Sequence, residues 1–192
     1  EPPVWELLER SGVKTAVVRF NFTYPADGQA SVVISNHVVP DMWDALGVDR
    51  EDRALVSPAT RTHDLLAPFS EHWTPDAEVL HRVPPEIDWT PPHDALMDPI
   101  AVLTKVLAYD QRTFHAAEHV LRTDPDVAVE IVHIGGFDNV CHAFWQYRFP
   151  GDFADPPSRE DVRVLGPVID RYLEFIDGGL AGLIAAFPSA PN

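Results

Sequence analysis

Asp138 and His142 are the residues whose types and spacing point most directly to chemistry. They lie in the run Gly135-Gly136-Phe137-Asp138-Asn139-Val140-Cys141-His142-Ala143-Phe144-Trp145. Ahead of it stands an apolar stretch rich in β-branched residues, Val127 to Ile134. Such a stretch predicts a buried strand. The two residues then fall just past its C-terminal end, four apart, in a loop loosened by two glycines. Open α/β sheets build their ligand sites at that edge. A carboxylate beside an imidazole suits a divalent metal of the zinc type. The plainer reading makes Asp138 a cap for the next turn and packs His142 under Trp145.

Other constellations compete. His115-Ala116-Ala117-Glu118-His119 spells a zincin-like His-x-x-Glu-His on a predicted helix. That face is turned roughly 120–160° from the helix's apolar stripe, so the histidines are expected in solvent. His133 reads as a hydrogen-bonded core histidine of the strand. Ser35 lies near His37, but no Gly-x-Ser-x-Gly elbow surrounds it. Cys141 reads as a small buried filler and, as the single cysteine, excludes an internal disulfide framework.

The elements that must position these residues follow from periodicity and punctuation. A helix over Glu1 to Arg10, ended by Gly12, leads into strands at about Thr15 to Phe20 and Ala30 to Ile34. A short helix is expected around Asp41 to Leu46. Residues 47–97 carry Pro58, Pro68, Pro75, Pro84, Pro85, Pro91 and Pro92, which leave room only for short elements. They read as an insertion or lid-like excursion with one or two short helices, pinned by Trp73 and Trp89. Asp98-Pro99 opens a helix that runs to Thr123. Leu103, Leu107, Phe114, Ala117 and Leu121 share one of its faces. Asp110 falls on that apolar face, implying a buried donor or a kink. Ser158 caps a further helix over 159–185, with Leu165, Ile169, Tyr172, Leu173, Ile176, Leu180 and Leu183 as its buried stripe. Helix, strand, loop and helix in this order predict an α/β class with a partly parallel sheet covered on both faces. The 127–134 strand should be central.

Phe137-Asp138-Asn139-Val140-Cys141-His142-Ala143-Phe144-Trp145 resembles the "Asp, three residues, His, then Phe-Trp" element of the alkaline phosphatase superfamily, in its type I phosphodiesterase and nucleotide pyrophosphatase branch. Three further segments agree. Val4 to Val18 is similar to that family's helix, glycine and strand, followed by a turn at Thr23-Tyr24-Pro25. Val33-Ile34-Ser35-Asn36 resembles its short strand ending in Ser-Asp, with Asn36 in place of the acid. Val168 to Leu183 resembles its helix carrying a Tyr and an Asp, here Tyr172 and Asp177. The resemblance hardly covers residues 40–97.

The resemblance implies a three-layer α/β/α sandwich of the alkaline phosphatase type, of which residues 1–192 would form one partial domain. It implies a metal-dependent phosphodiesterase or phosphatase that hydrolyses phosphate esters through a phospho-enzyme intermediate. Asp138 and His142 would hold one of two metal ions, zinc first, with manganese or calcium as alternatives. The nucleophilic Thr or Ser and the remaining ligands would lie outside this segment, so the isolated segment is expected to be inactive. Phe144, Trp145 and Tyr147 would wall the substrate side. Two alternatives stay open: a superfamily member that is a mutase or head-group transferase, and a non-catalytic α/β binding domain.

Composition bounds these readings. The 192 residues are 45% hydrophobic, enough for a sizeable core. A net charge of −16 argues against a nucleic-acid polymer or an anionic membrane as partner; a phosphate-ester small molecule as partner is what the resemblance implies. No run is long enough for a membrane span. Asn21-Phe22-Thr23 matches a glycosylation acceptor, a pattern that arises often by chance.

Overall fold

The computed structural model describes residues 1–26, 28, 30–38, 53–69, 74–83, 86–89 and 98–187. The expected helix at 41–46 and the side chain of Trp73 lie outside them. The chain is mixed α/β, with a four-stranded mixed sheet and several helices. It forms two compact units: residues 1–72, 112–134 and 182–192 in one, 73–111 and 135–181 in the other. No helix of the described residues is long and apolar enough to cross a membrane.

The first unit holds the sheet. Helix α1 (Val4–Arg10) closes at Gly12, whose φ of +80° suits a residue without a Cβ. Strand β1 (Thr15–Val18) follows, with every residue buried. It pairs in parallel with β2 (Val32–Ile34) on one side and with β4 (Val129–Val132) on the other. β3 (Val56–Ser57) adds to β2 antiparallel, giving the order β3-β2-β1-β4. The Glu9 carboxylate fastens the starts of the two inner strands, accepting from Thr15 N at 2.7 Å and Ser31 N at 2.8 Å. On one sheet face Val17, Ala30 and Val33 pack with Trp5 and Ala26.

The strand expected at the centre is therefore an edge strand among the described residues. An apolar run predicts burial, not position in the sheet, and every residue of β4 is only half-buried. The inner places belong to β1 and β2. The described part of the proline-rich segment also does more than project: Leu55, Val56, Leu65 and Phe69 are buried. It supplies β3 and helix α2 (Thr62–Leu66) to the first unit, and helix α3 (Ala77–Arg82) to the second.

Glu130 is the one charged residue of β4. Its register opposite Ala16, itself opposite Val32, puts it on an otherwise apolar sheet face. Its Oε1 is shielded from water and has no hydrogen-bond partner among the described residues. Burial pushes the carboxyl up from 4.5 to about 8. Between those values the folded chain holds a proton that the unfolded chain has released, so stability falls as pH rises through this window. Glu130→Gln removes the ionisation. Its melting temperature should match wild type near pH 4.5 and exceed it increasingly as pH rises towards 8. Parallel melting curves across pH 4.5–9 would contradict this.

The second unit is helical. Helix α4 (Pro99–Thr123) runs through residues of both units, and Leu103, Val106 and Leu107 are buried in the core of the second. Helix α5 (Gly136–Arg148) adds Val140 and Phe144 to that core. The helix expected over 159–185 is two helices, α6 (Arg159–Leu165) and α7 (Val168–Ala186). The break falls at Gly166-Pro167. A Cβ on Gly166 would stand 2.4 Å from the Val162 carbonyl oxygen, and proline cannot donate to the ladder. Of the expected stripe on α7, Ile169, Tyr172 and Leu183 are buried, while Leu173 and Leu180 are exposed.

Candidate metal centre

The segment expected as a loop around Asp138 is the first turn of α5. Phe137, Val140, Phe144 and Tyr147 recur at helical spacing, and this face is the one turned to the core. Gly135 occupies the N-cap and offers no side chain to the free N–H groups. The missing acceptor comes from α4: Asp110 Oδ2 accepts the Gly136 N–H at 2.9 Å. The same oxygen accepts the Tyr172 hydroxyl at 2.7 Å. Asp110 and Tyr172 are both buried. Asp110 thus has buried donors, which accounts for a carboxylate on an apolar face. Asp138 sits in the first turn, where the helix dipole favours a negative charge.

Asp138 and His142 share one face of α5, with Oδ1 and Nε2 3.5 Å apart. Their side chains are 82% and 81% exposed, so both keep their lone pairs open to a ligand. Bonds to zinc near 2.1 Å and a tetrahedral angle require two donors about 3.4 Å apart. The pair's 3.5 Å separation is close to that distance. The same geometry serves an ion pair when His142 is protonated, and such an exposed pair stabilises the helix only slightly. Among the described residues no group of three or more His, Cys, Asp or Glu converges on a common point. Water or further donors would complete the coordination. Burial, with the nearby Asp138 carboxylate, pushes the Cys141 thiol up and disfavours the thiolate in the metal-free chain.

The aromatic candidates divide. Phe144 is fully buried in the core of the second unit, so it is a packing residue and not a wall of an open site. Tyr147 is half-buried against the same core, 6.0 Å ring to ring from Phe144, and burial pushes its hydroxyl up. Trp145 is 43% exposed. Its ring lies 4.5 Å from that of Phe149, a residue the sequence reading did not select. The spacing 138, 142, 145 on one helix face could have revealed the grouping, had the segment been read as a helix.

The competing histidines are placed differently. His119 is not simply in solvent, because its Nε2 meets Asp64 Oδ1 at 2.7 Å and Asp64 also receives Arg61. Helix α2 thus covers a face that wheel geometry alone leaves open. His133 follows β4, half-buried and edge-on to Phe20 at 6.2 Å. His37 stacks on Tyr24 at 4.3 Å, and burial lowers its pKa. Ser35 Oγ accepts the His37 backbone N–H, and the buried His37 Nδ1 has no hydrogen-bond partner among the described residues. Asn36 and Thr23 are bonded reciprocally, each backbone N–H donating to the other's side-chain oxygen. A depression of about 370 Å³ in the second unit is lined by His81, Arg82, Arg171, Glu174 and Phe175. Its arginines are paired with Glu78 and Glu174, which removes most of their pull on an anion.

No protein-family model, curated protein or solved structure matches this chain.

Proposed function

We propose that these residues belong to a metal-dependent phosphoric ester hydrolase of the alkaline phosphatase type, with its sandwich architecture, in which Asp138 and His142 hold one metal ion. The observation that carries this reading is the exposed donor pair at 3.5 Å on one helix face. The motif resemblance supplies the reaction class. A bound divalent ion supplies Lewis-acid polarisation of a phosphoryl oxygen. Asp138 contributes charge and His142 a neutral nitrogen, a donor set that suits zinc and also admits manganese. The rigid α5 backbone fixes their separation, and the Asp110 anchor keeps the first turn wound. The substrate is a small phosphate ester, consistent with the acidity of the chain, which disfavours polyanions.

The test is hydrolysis of bis(4-nitrophenyl) phosphate and 4-nitrophenyl phosphate by the full-length protein with zinc, manganese or magnesium. Turnover should require metal and vanish with chelator. Loss of a supporting group around a metal costs roughly 10–100-fold. Removing a ligand outright, in Asp138→Asn or His142→Ala, should cost at least as much. Metal-dependent turnover that is unchanged in both variants would refute the assignment of these two residues.

A further inference from the structure

We propose that the depression lined by α3 and α7 binds a free α-amino acid with an apolar side chain, held as its zwitterion. Val79 and Leu80 of α3 pack into the same core of the second unit as Tyr172, Phe175 and Ile176 of α7. That shared core places His81 and Arg82, in the last turn of α3, around one depression with Arg171, Glu174 and Phe175. Its volume of about 370 Å³ lies at the small end of the roughly 300–1,000 Å³ typical of ligand sites. The lining also reverses the charge balance of the chain. Acidic residues outnumber Lys and Arg by 30 to 14 overall, yet two arginines and a histidine stand here with one glutamate.

The pairing of these charges selects the ligand. Arg171 Nη1 lies 2.6 Å from Glu174 Oε2, and Arg82 is paired with Glu78 one turn back on α3. A bare anion has to compete with those carboxylates, and a bare cation with the guanidinium groups. A zwitterion brings both charges. Its ammonium takes the Glu174 carboxylate while the Arg171 guanidinium turns to its carboxylate, so every charge keeps a partner. The Arg171 and Glu174 side chains are 49% and 64% exposed, and ion pairs this exposed are weak, so the exchange costs little. An α-amino acid carries its two charges on one carbon, which suits two heads that already stand side by side. Phe175 supplies an apolar wall for the side chain and is braced by the Tyr172 ring at 5.6 Å. No metal takes part.

The test titrates the full-length protein with L-methionine, with 4-(methylthio)butanoate, which lacks the amine, and with 3-(methylthio)propylamine, which lacks the carboxylate. Amide chemical shifts at 78–82 and 171–175 report binding. L-Methionine should bind saturably below roughly 1 mM, the upper end of ordinary substrate affinities. Each analogue loses one charge-assisted contact and should bind roughly tenfold more weakly or worse. Glycine, with no side chain to set against Phe175, should also be weaker than methionine. Glu174→Gln, a change at an exposed side chain, should weaken methionine and strengthen the butanoate, because it releases Arg171. Arg171→Gln should weaken both. Lack of saturable methionine binding below roughly 1 mM would overturn the proposal. So would equal affinities for methionine and glycine, or for methionine and either analogue. A Glu174→Gln variant in which the butanoate gains nothing would overturn it as well, since the exchange of partners would not occur.

Discussion

Gly136→Ala should destabilise the fold by roughly 3 kcal/mol or more, a large effect for one methyl group. A Cβ at this position would stand 2.0 Å from the Tyr172 hydroxyl oxygen, 2.6 Å from Asp110 Oδ2 and 3.0 Å from Val106 Cβ. These are buried groups bonded to one another, so no flexible tip can swing aside. Overpacking of this kind costs roughly 1–3 kcal/mol, and each hydrogen bond it forces open adds about 1. Alanine's better helix propensity returns at most about 1 kcal/mol, so sterics win. Urea denaturation of the variant measures the loss. Tyr172→Phe deletes the nearest clashing atom. The double variant should therefore lose less than the sum of the two single changes. A Gly136→Ala stability within about 0.5 kcal/mol of wild type, the scale of an ordinary surface change, would contradict the buried anchor.

Asp110→Ala is the second large expected effect. It would strand the buried Gly136 N–H and leave the Tyr172 O–H with the longer contact to the Val106 carbonyl at 3.4 Å. A buried polar group left without its partner costs roughly 1–3 kcal/mol, so about 3 kcal/mol in total is expected. The consequence should also be local. Gly136 carries one of the N–H groups that an α-helix cannot satisfy internally, so the first turn of α5 should fray. Amide exchange at 136–139 should accelerate, while 145–148, in the last turn, should change little. Asp110→Asn keeps an acceptor and should fall between wild type and alanine. Unchanged exchange in the first turn of Asp110→Ala would rule out the capping role.

What was legible in the sequence was what depends on local pattern. Asp98-Pro99 and the stripe from Leu103 to Leu121 fixed α4 to within a residue, and Ser158 marked the start of α6 through its side-chain cap. The α/β class followed from the alternation of apolar runs. Position in the sheet was not legible, because β1 and β4 both read as apolar runs and only pairing separates centre from edge. β3 escaped notice because it is two residues long and ends against Pro58. At the site, two glycines suggested a loop, yet a distant side chain replaces the missing cap. Asp110 was visibly out of place on its helix face, but its partners lie 26 and 62 residues away in sequence. Asp138 and His142 keep the same four-residue relation in either reading, and the helix gives that spacing its geometry. Phe144 looked like Trp145 in the motif. Only the helical phase sends one into the core and the other into solvent.

The account stands on Asp138 and His142 sharing a metal ion. The most direct measurement is the imidazole ¹⁵N spectrum of the full-length protein during a zinc titration at neutral pH, with His142 assigned by comparison with His142→Ala. The account predicts that the His142 nitrogens move first and that Asp138→Ala weakens this response at least roughly tenfold, the lower bound for losing a metal-supporting group. The imidazoles of His115, His119 and His133 should respond only at higher zinc. A spectrum in which zinc reaches those histidines first, or in which His142 responds identically without the Asp138 carboxylate, would contradict it.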